Sequence, residues 1–214
     1  MIEAWKKVVC FFAHTDDEMI CAGTLHRLAR SGCEVHVVTF AQAATERDRK
    51  GMDRDYTLCD EWMKSMDIIG VHHQHRVLYD IRPSCDFQPH RQQICQWTYN
   101  YVERYKPDCV FTLSPDDENT AHSIVGVECE RVMRGRVPTL VRCQFPWNYN
   151  IGRPNLYVTL DVENLKVKAA VIEAYESQHF RYNYHDMLMD YARADGASVK
   201  RLAVEKFEIV RSVV

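Results

Sequence analysis

A Rossmann-like α/β fold, with a mostly parallel sheet and helices on both faces, is predicted by three observations. Short apolar runs with strand character alternate along the chain with longer segments of helical periodicity. The first run, residues 8–13, is continuously apolar, which is typical of a strand buried on both faces. The order strand, helix, strand, helix favours parallel strands joined by crossover helices. Because its 214 residues contain no repeat and no linker, we expect residues 1–214 to form a single domain.

Each predicted element follows from its periodicity and from the residues at its ends. The helix at residues 18–30, for example, carries Ile20, Leu25 and Leu28 at near-helical spacing and stops before Gly32. The predicted strands cover residues 8–13, 34–40, 71–79, 109–113 and 156–160. The predicted helices cover residues 18–30, 56–69, 92–105, 120–134, 162–178 and 184–194, and residues 146–154 are predicted to form a loop.

Composition excludes several classes of protein. A net charge of −3, with basic residues spread along the chain, argues against a nucleic-acid or anionic-membrane partner. No stretch approaches the roughly 18 apolar residues of a membrane span, and no signal-peptide pattern precedes the first strand. The nine cysteines are scattered, odd in number and without a C-x-x-C pair. We therefore expect reduced thiols and a cytoplasmic location.

Polar side chains cluster where the first strand ends, in the sequence His14-Thr15-Asp16-Asp17-Glu18. In open α/β sheets, ligands bind at the carboxyl ends of the strands. Imidazole and carboxylate groups are both zinc ligands, and two adjacent carboxylates repel each other unless a cation offsets the repulsion. One carboxylate is therefore expected to bind a metal while the other is free to transfer protons.

His122 is the candidate for a third ligand, because it opens the helix after the fourth predicted strand, at the same edge of the sheet. His14, Asp17 and His122 would form a site with two histidines, one carboxylate and an open position for water. That pattern is typical of catalytic Zn²⁺. Fe²⁺ uses the same donor set and is the alternative metal.

These residues also carry a resemblance to a known family. Residues 13–25, Ala-His-Thr-Asp-Asp-Glu-Met-Ile-Cys-Ala-Gly-Thr-Leu, resemble the first motif of the LmbE-like, or PIG-L, N-acetylglucosaminyl deacetylases, with Thr15 where the family usually has Pro. The second family motif, His-x-Asp-His with a Gly four residues later, aligns with residues 119–122 and Gly126. Residues 168–178 and 202–207 are similar to the family's Ser-Gln helix and its Ala-Glu-x-Phe ending.

The resemblance implies a zinc-dependent N-deacetylase that hydrolyses the N-acetyl group of an amino sugar or its conjugate, a small-molecule substrate. It assigns His14, Asp17 and His122 as metal ligands and Asp16 as the general base that activates water. It also leaves assembly into a homo-oligomer open, because related proteins often assemble.

Two positions depart from the family pattern. Asn119 stands where the family has a histidine near the tetrahedral intermediate, and Ala121 replaces a supporting carboxylate. Asn119 can donate a hydrogen bond to an oxyanion but cannot act as an acid. Either Asp16 moves the proton in both directions, or another residue protonates the departing amine. Arg47 and Arg54 are candidates for substrate binding, although neither aligns cleanly with a family arginine.

Structural alternatives exist for each of these features. Asp16 or Asp17 can simply cap a helix, and Trp147, a candidate for stacking on a sugar, can equally pack within its loop. The acidic residues 116–118 are predicted to be a solvated helix start. The histidines at 72, 73 and 75 are predicted to be a surface patch, and the pair 177–178 is expected to fix a helix end.

Two other functions compete with the deacetylase. The departures at Asn119 and Ala121 motivate a catalytically impaired pseudoenzyme that binds metal and sugar without turnover. A dinucleotide-binding oxidoreductase is disfavoured, because the turn after the first strand lacks a Gly-x-Gly-x-x-Gly loop and is acidic.

Overall fold

A seven-stranded sheet forms the centre of the protein in the computed structural model, which describes residues 2–41, 57–75, 86–148, 153–179 and 183–213. The strands are β1 (Lys7–Phe12), β2 (Glu34–Thr39), β3 (His72–His75), β4 (Cys109–Leu113), β5 (Thr139–Cys143), β6 (Leu156–Leu160) and β7 (Ala203–Ser212). The helices are α1 (Ala22–Arg30), α2 (Thr57–Ile69), α3 (Arg91–Tyr105), α4 (Thr120–Met133), α5 (Val162–Ala174) and α6 (Tyr184–Ser198).

The strand order β3-β2-β1-β4-β5-β7-β6 confirms the predicted α/β fold. The strands from β3 to β5 are parallel, whereas β7 runs antiparallel to both β5 and β6. The chain first builds outward from β1 through β2 to β3 and then returns to place β4 on the other side of β1. This reversal creates a crevice at the carboxyl ends of β1 and β4, the place where open sheets of this kind bind ligands.

The helices form two packed groups around the sheet. One group places α5 against α1, α2 and α6, and the other pairs α3 with α4. The central strands are buried on both faces: Phe11, Phe12 and Phe111 have no exposed surface. Among the described helices, none is long and apolar enough to cross a membrane.

Two predicted helices are interrupted near the crevice. The helix predicted at 18–30 consists of a short 3-10 helix, Asp17–Ile20, followed by α1. The helix predicted at 162–178 ends with α5 at Ala174. Tyr175 leaves the helical path there, with ψ at 55°, and its buried hydroxyl donates a hydrogen bond to Glu18. Both interruptions therefore lie at the hydrogen bond between Tyr175, which follows α5, and Glu18, which lies in the 3-10 helix.

The sequence did not predict β5 or β7. β5 has only five residues and includes Arg142, whose charge is paired with Glu130 and Glu208. β7 mixes charged and apolar residues, so it lacks the apolar run of a central strand. β3 was predicted at 71–79 and covers His72–His75, while residues 76–79 lie outside the described ranges. The last helix, α6, continues to Ser198 rather than stopping at 194.

A buried ion pair connects the C-terminal half of the chain to the turn after β1. The carboxylate of Glu205, on β7, accepts hydrogen bonds from the amides of Gly23 (3.1 Å) and Thr24 (2.7 Å) at the start of α1. The ammonium of Lys168, on α5, lies 2.7 Å from Glu205 and donates to the carbonyl of Met19 at 2.8 Å. β7 and α5 therefore hold the C-terminal end of the 3-10 turn that follows β1, together with the start of α1.

We predict that Lys168→Met lowers the free energy of unfolding by about 3–5 kcal/mol, because it leaves the carboxylate of Glu205 buried without its cation. Urea denaturation followed by circular dichroism measures the change. Lys106→Met is the matched control, since Lys106 is 67% exposed in its pair with Glu103 and the same substitution there is expected to cost about 1 kcal/mol or less. Equal losses in the two variants would contradict a structural role for the buried pair.

Candidate metal centre

Three potential ligands meet at the crevice between β1 and β4. His14 and Asp17 lie in the turn after β1, and His122 lies in the first turn of α4. α4 approaches the end of β4 closely because residue 126 is glycine: a Cβ on Gly126 would lie 2.7 Å from the carbonyl oxygen of Leu113. The ligand atoms of His14, Asp17 and His122 consequently lie within 4.8 Å of one another.

The separations between these atoms fit a single zinc ion. Nε2 of His122 lies 3.1 Å from Oδ1 of Asp17 and 3.3 Å from Nδ1 of His14. Nδ1 of His14 lies 3.6 Å from Oδ1 of Asp17. Zinc bonds of about 2.0–2.2 Å in a tetrahedron place neighbouring donors about 3.3–3.6 Å apart. The donor atoms are also of the right chemical types, so the residues present are suited to hold the metal.

Burial and mutual charge shift the pKa values of this group in opposite directions. Burial alone would raise the pKa of Asp17, but the charges and hydrogen bonds of His122 and His14 outweigh it and hold that pKa far below its usual range. Burial would lower the pKa of His122, yet the charge of Asp17, with a hydrogen bond to Asp117, raises it well above the usual value. Without metal, the pair is therefore a carboxylate beside an imidazolium.

The carboxylates of the first motif do not act as ordinary helix caps. Oδ2 of Asp17 accepts hydrogen bonds of 2.9 Å from the amides of Ala13 and His14, which follow β1 directly and precede Asp17 in the chain. Its other oxygen faces the histidines. Asp16 occupies the N-cap position of the 3-10 helix, but its side chain makes no capping hydrogen bond, and its surface is only 8% exposed. The capping interpretation of this motif therefore does not describe its geometry.

Asp117 is a site residue that the sequence interpretation missed. Asp116 and Glu118 are exposed, as expected for a solvated helix start, but Asp117 is 6% exposed. Oδ2 of Asp117 lies 3.2 Å from Nδ1 of His122, on the side of the ring away from Asp17. The prediction of a solvated loop is therefore wrong for Asp117. No sequence pattern indicates this burial, because it depends on a contact with a histidine five residues further along the chain.

Aromatic rings line the region beside the histidines. Phe87 packs edge-on against the ring of His14, with centroids 5.7 Å apart. Phe145 stacks on His122 at 5.1 Å, and Trp147 stacks on Phe145 at 4.3 Å. Trp147 is half-buried. The loop after β5 thus places a flat aromatic surface next to the candidate metal centre.

The remaining predicted site residues have different positions. Asn119 is exposed at the N-cap of α4, where its Oδ1 accepts hydrogen bonds from the amides of Ala121 (2.9 Å) and His122 (3.5 Å). Its Nδ2 group takes no part in this cap. Arg47 and Arg54 lie outside the described residues.

A protein-family model matches the part of the chain that carries this site. Residues 9–133, more than half of the chain, match the model of the PIG-L family, described as GlcNAc-PI de-N-acetylase. The chain belongs to the PIG-L family. The matched segment contains all three candidate ligands. A search of curated proteins finds no match.

Solved structures of similar fold include two deacetylases and a hydratase. The 4-carboxy-2-hydroxymuconate hydratase GalB from Pseudomonas putida KT2440 is 17% identical, with a TM-score of 0.80 and 98% of each chain covered. The N,N'-diacetylchitobiose deacetylase from Pyrococcus horikoshii is 18% identical, with a TM-score of 0.75, covering 98% of this chain and 85% of its own. A zinc-inhibited form of the teicoplanin deacetylase Orf2 is 17% identical, with a TM-score of 0.77, covering 96% and 98%. At these identities the similarity establishes the fold.

Two further parts of the family pattern, the Ser177-Gln178 pair and Glu18, make structural contacts. Ser177 donates its amide to Oε1 of Glu61 on α2 at 2.7 Å, and its hydroxyl accepts from Nε2 of Gln178 at 2.9 Å. Glu18, within the first motif, has no exposed surface and accepts hydrogen bonds from Ser65 (2.6 Å) and from Tyr175. Burial raises the pKa of Glu18 to about 8. These contacts tie α2 and the end of α5 to the turn that carries the ligands.

The second group of histidines lies elsewhere. His72 is exposed and stacks on His36 with ring centroids 5.2 Å apart. The side chains of His73 and His75 are outside the described set. Within the described residues, the potential metal group consists of His14, Asp17 and His122 and does not include His72.

We predict that zinc binding at pH 6 releases about one proton. Metal coordination requires a neutral imidazole, and the raised pKa of His122 keeps it protonated in the metal-free protein, whereas Asp17 is already ionised. The apparent zinc affinity should therefore rise by up to tenfold per pH unit between pH 6 and pH 8. Titration of the weakly buffered apoprotein with zinc measures the release, and Ca²⁺, which prefers oxygen ligands, is the control. Zinc binding that releases no proton and is independent of pH would contradict this assignment.

Proposed function

We propose that this protein is a zinc-dependent N-deacetylase that hydrolyses the N-acetyl group of an amino sugar or its conjugate. The main support for the proposal is that the ligand atoms of His14, Asp17 and His122 lie at separations suited to one zinc ion. Membership of the PIG-L family supports the reaction class. The deacetylases of known structure act on diacetylchitobiose and on teicoplanin, which supports an N-acetylated sugar as the substrate class here.

His14, Asp17 and His122 would hold Zn²⁺, with Fe²⁺ as the alternative for the same donors. When bound, zinc supplies Lewis acidity, which polarises an acyl oxygen and lowers the pKa of water to about 7. Asp17 is suited to this role because the amides of Ala13 and His14 fix one of its oxygens while the other faces the histidines.

Asp16 is the proposed proton carrier. It directly precedes the candidate ligand Asp17 in the first motif, its surface is 8% exposed, and the family resemblance assigns it as the general base. Asp16 accepts a proton from the attacking water as the oxygen of that water bonds to the acyl carbon. It then returns the proton to the departing nitrogen as the carbon–nitrogen bond breaks, so the products are acetate and a free amine.

Asn119 and the aromatic loop complete the proposed site. The side-chain carbonyl of Asn119 is used by the α4 cap, so its Nδ2 group is the donor that we assign to the oxyanion. Trp147, half-buried and stacked on Phe145 beside His122, offers an apolar face for a sugar ring. We assign Arg47 and Arg54 to substrate binding on the basis of the sequence alone.

We further propose that residues 1–214 form one domain acting in a reducing cytoplasm. In the described part of the chain the cysteines form no disulfide, and most of them are buried among apolar residues.

The proposal predicts different behaviour for two variants. Asp16→Asn should retain about one equivalent of zinc and lose about 10²–10⁴-fold in kcat, because it removes the proton carrier and keeps the ligands. His122→Ala should lose both zinc and activity. Elemental analysis and amine release from N-acetylglucosamine conjugates measure the two properties. Asp116→Asn, an equivalent change at an exposed neighbouring position, is the control and should keep both.

Three results would each contradict part of this proposal. Full activity of zinc-loaded Asp16→Asn would remove Asp16 from the mechanism. Stoichiometric zinc without amine release from any N-acyl sugar would favour the metal- and sugar-binding pseudoenzyme suggested by Asn119 and Ala121. Because GalB, of the same fold, is a hydratase, hydration of an unsaturated hydroxy acid without amine release would reassign the reaction class.

A further inference from the structure

Asp117 is a buried carboxylate that the proposed reaction does not use. Its Oδ1 accepts a hydrogen bond of 2.8 Å from the amide of Asn119. Its Oδ2 accepts a hydrogen bond of 2.9 Å from Nδ2 of Asn148 and lies 3.2 Å from Nδ1 of His122. A carboxylate surrounded by donors in this way acts as an acceptor. The nitrogen of His122 that faces it must therefore carry a hydrogen.

Asn148 fixes the position of this carboxylate. It is 7% exposed, and its Oδ1 accepts a hydrogen bond of 3.2 Å from the amide of Glu118. The backbone amide of Asn148 donates a hydrogen bond to the carbonyl of Phe145 at 3.1 Å. Asn148 thus joins the loop after β4, which carries Asp117, to the loop after β5, which carries the aromatic rings. The carboxylate cannot turn away from His122 without breaking these bonds.

The opposite nitrogen of the same ring faces the other ligands. Nε2 of His122 lies 3.1 Å from Asp17 and 3.3 Å from His14, whereas Nδ1 lies against Asp117. In the neutral ring, which metal binding requires, a hydrogen on Nδ1 leaves Nε2 with the lone pair that binds the ion. Histidine ligands in metalloproteins commonly donate their second N–H to a carboxylate in this way, and removal of that carboxylate typically lowers metal affinity 10–100-fold.

We propose that Asp117, held in place by Asn148, is the positioning residue that fixes the tautomer of His122 and thereby sets the affinity of the site for zinc. The inference rests on the proposed metal site but not on the reaction that it performs. The position is unexpected from sequence: the family motif places its supporting carboxylate at residue 121, which is alanine here. In this chain a carboxylate four residues earlier supports a different histidine.

A purely structural interpretation makes a different prediction. Asp117 precedes α4, so its charge also stabilises the positive end of that helix. If this were its whole role, loss of the charge would lower the free energy of unfolding and leave the zinc affinity of the folded protein unchanged. Asp116 is next to it, exposed and of the same charge, so Asp116→Asn reports the helix contribution alone.

The first measurement uses the unaltered protein, labelled with ¹⁵N-histidine and loaded with ¹¹³Cd²⁺ as a spectroscopic substitute for zinc. We expect cadmium–nitrogen coupling to Nε2 of His122 and a hydrogen on Nδ1. Coupling to Nδ1 of His122, or to neither nitrogen, would overturn the proposal. Because this result needs no variant, it is independent of any folding defect.

The second measurement is competition for zinc with a chromophoric chelator. We expect Asp117→Asn to bind zinc 10–100-fold more weakly than the unaltered protein, with Asp116→Asn unchanged. Asn148→Ala keeps the carboxylate but loses one of its donors, so it should give a smaller loss and serves if Asp117→Asn does not fold. Unchanged affinity in folded Asp117→Asn, or in Asn148→Ala where that variant replaces it, would refute the inference. Both experiments measure metal binding and not activity. If both give the expected results and the protein releases no amine, this inference stands and the proposed function is wrong.

Discussion

The buried contact between Asp17 and His122 is the constraint on which the rest of the structure depends. A carboxylate and two imidazoles are held together out of water, which is costly unless each group is paired or hydrogen-bonded. The fold meets this requirement with named partners: backbone amides bind one oxygen of Asp17, Asp117 faces the far nitrogen of His122, and the three side chains lie close enough together to share a cation. The same contacts that stabilise this cluster in the core also hold its potential ligand atoms within 4.8 Å of one another.

Distant parts of the chain keep this cluster in place. Glu205 binds the first amides of α1, and Lys168 bridges that carboxylate to the 3-10 turn. The Ala-Glu-x-Phe resemblance near the C-terminus thereby acquires a physical meaning, because its glutamate anchors the segment that carries two ligands. Gly126 has the corresponding role for the third ligand, since any side chain there would push α4 away from β4.

The sequence predicted the parallel core and the three candidate ligands because both follow from local rules. A continuous apolar run ends in His-x-Asp-Asp-Glu, and strand ends in such sheets meet at one edge. It did not predict β5, a five-residue strand whose Arg142 is neutralised by partners on other elements. Nor did it predict the burial of Asp117 or Glu18, because a charged residue becomes tolerable inside a protein only through tertiary partners. His122 is such a partner for Asp117, and Tyr175 is such a partner for Glu18. Composition and periodicity do not reveal these contacts.

Diffraction from crystals of the zinc-loaded protein, recorded above and below the zinc absorption edge, tests the central claim most directly. We predict an anomalous peak within bonding distance of Nδ1 of His14, Oδ1 of Asp17 and Nε2 of His122. A zinc ion bound elsewhere on the chain, or a His122 ring too far from the turn after β1 to share an ion with it, would contradict the account.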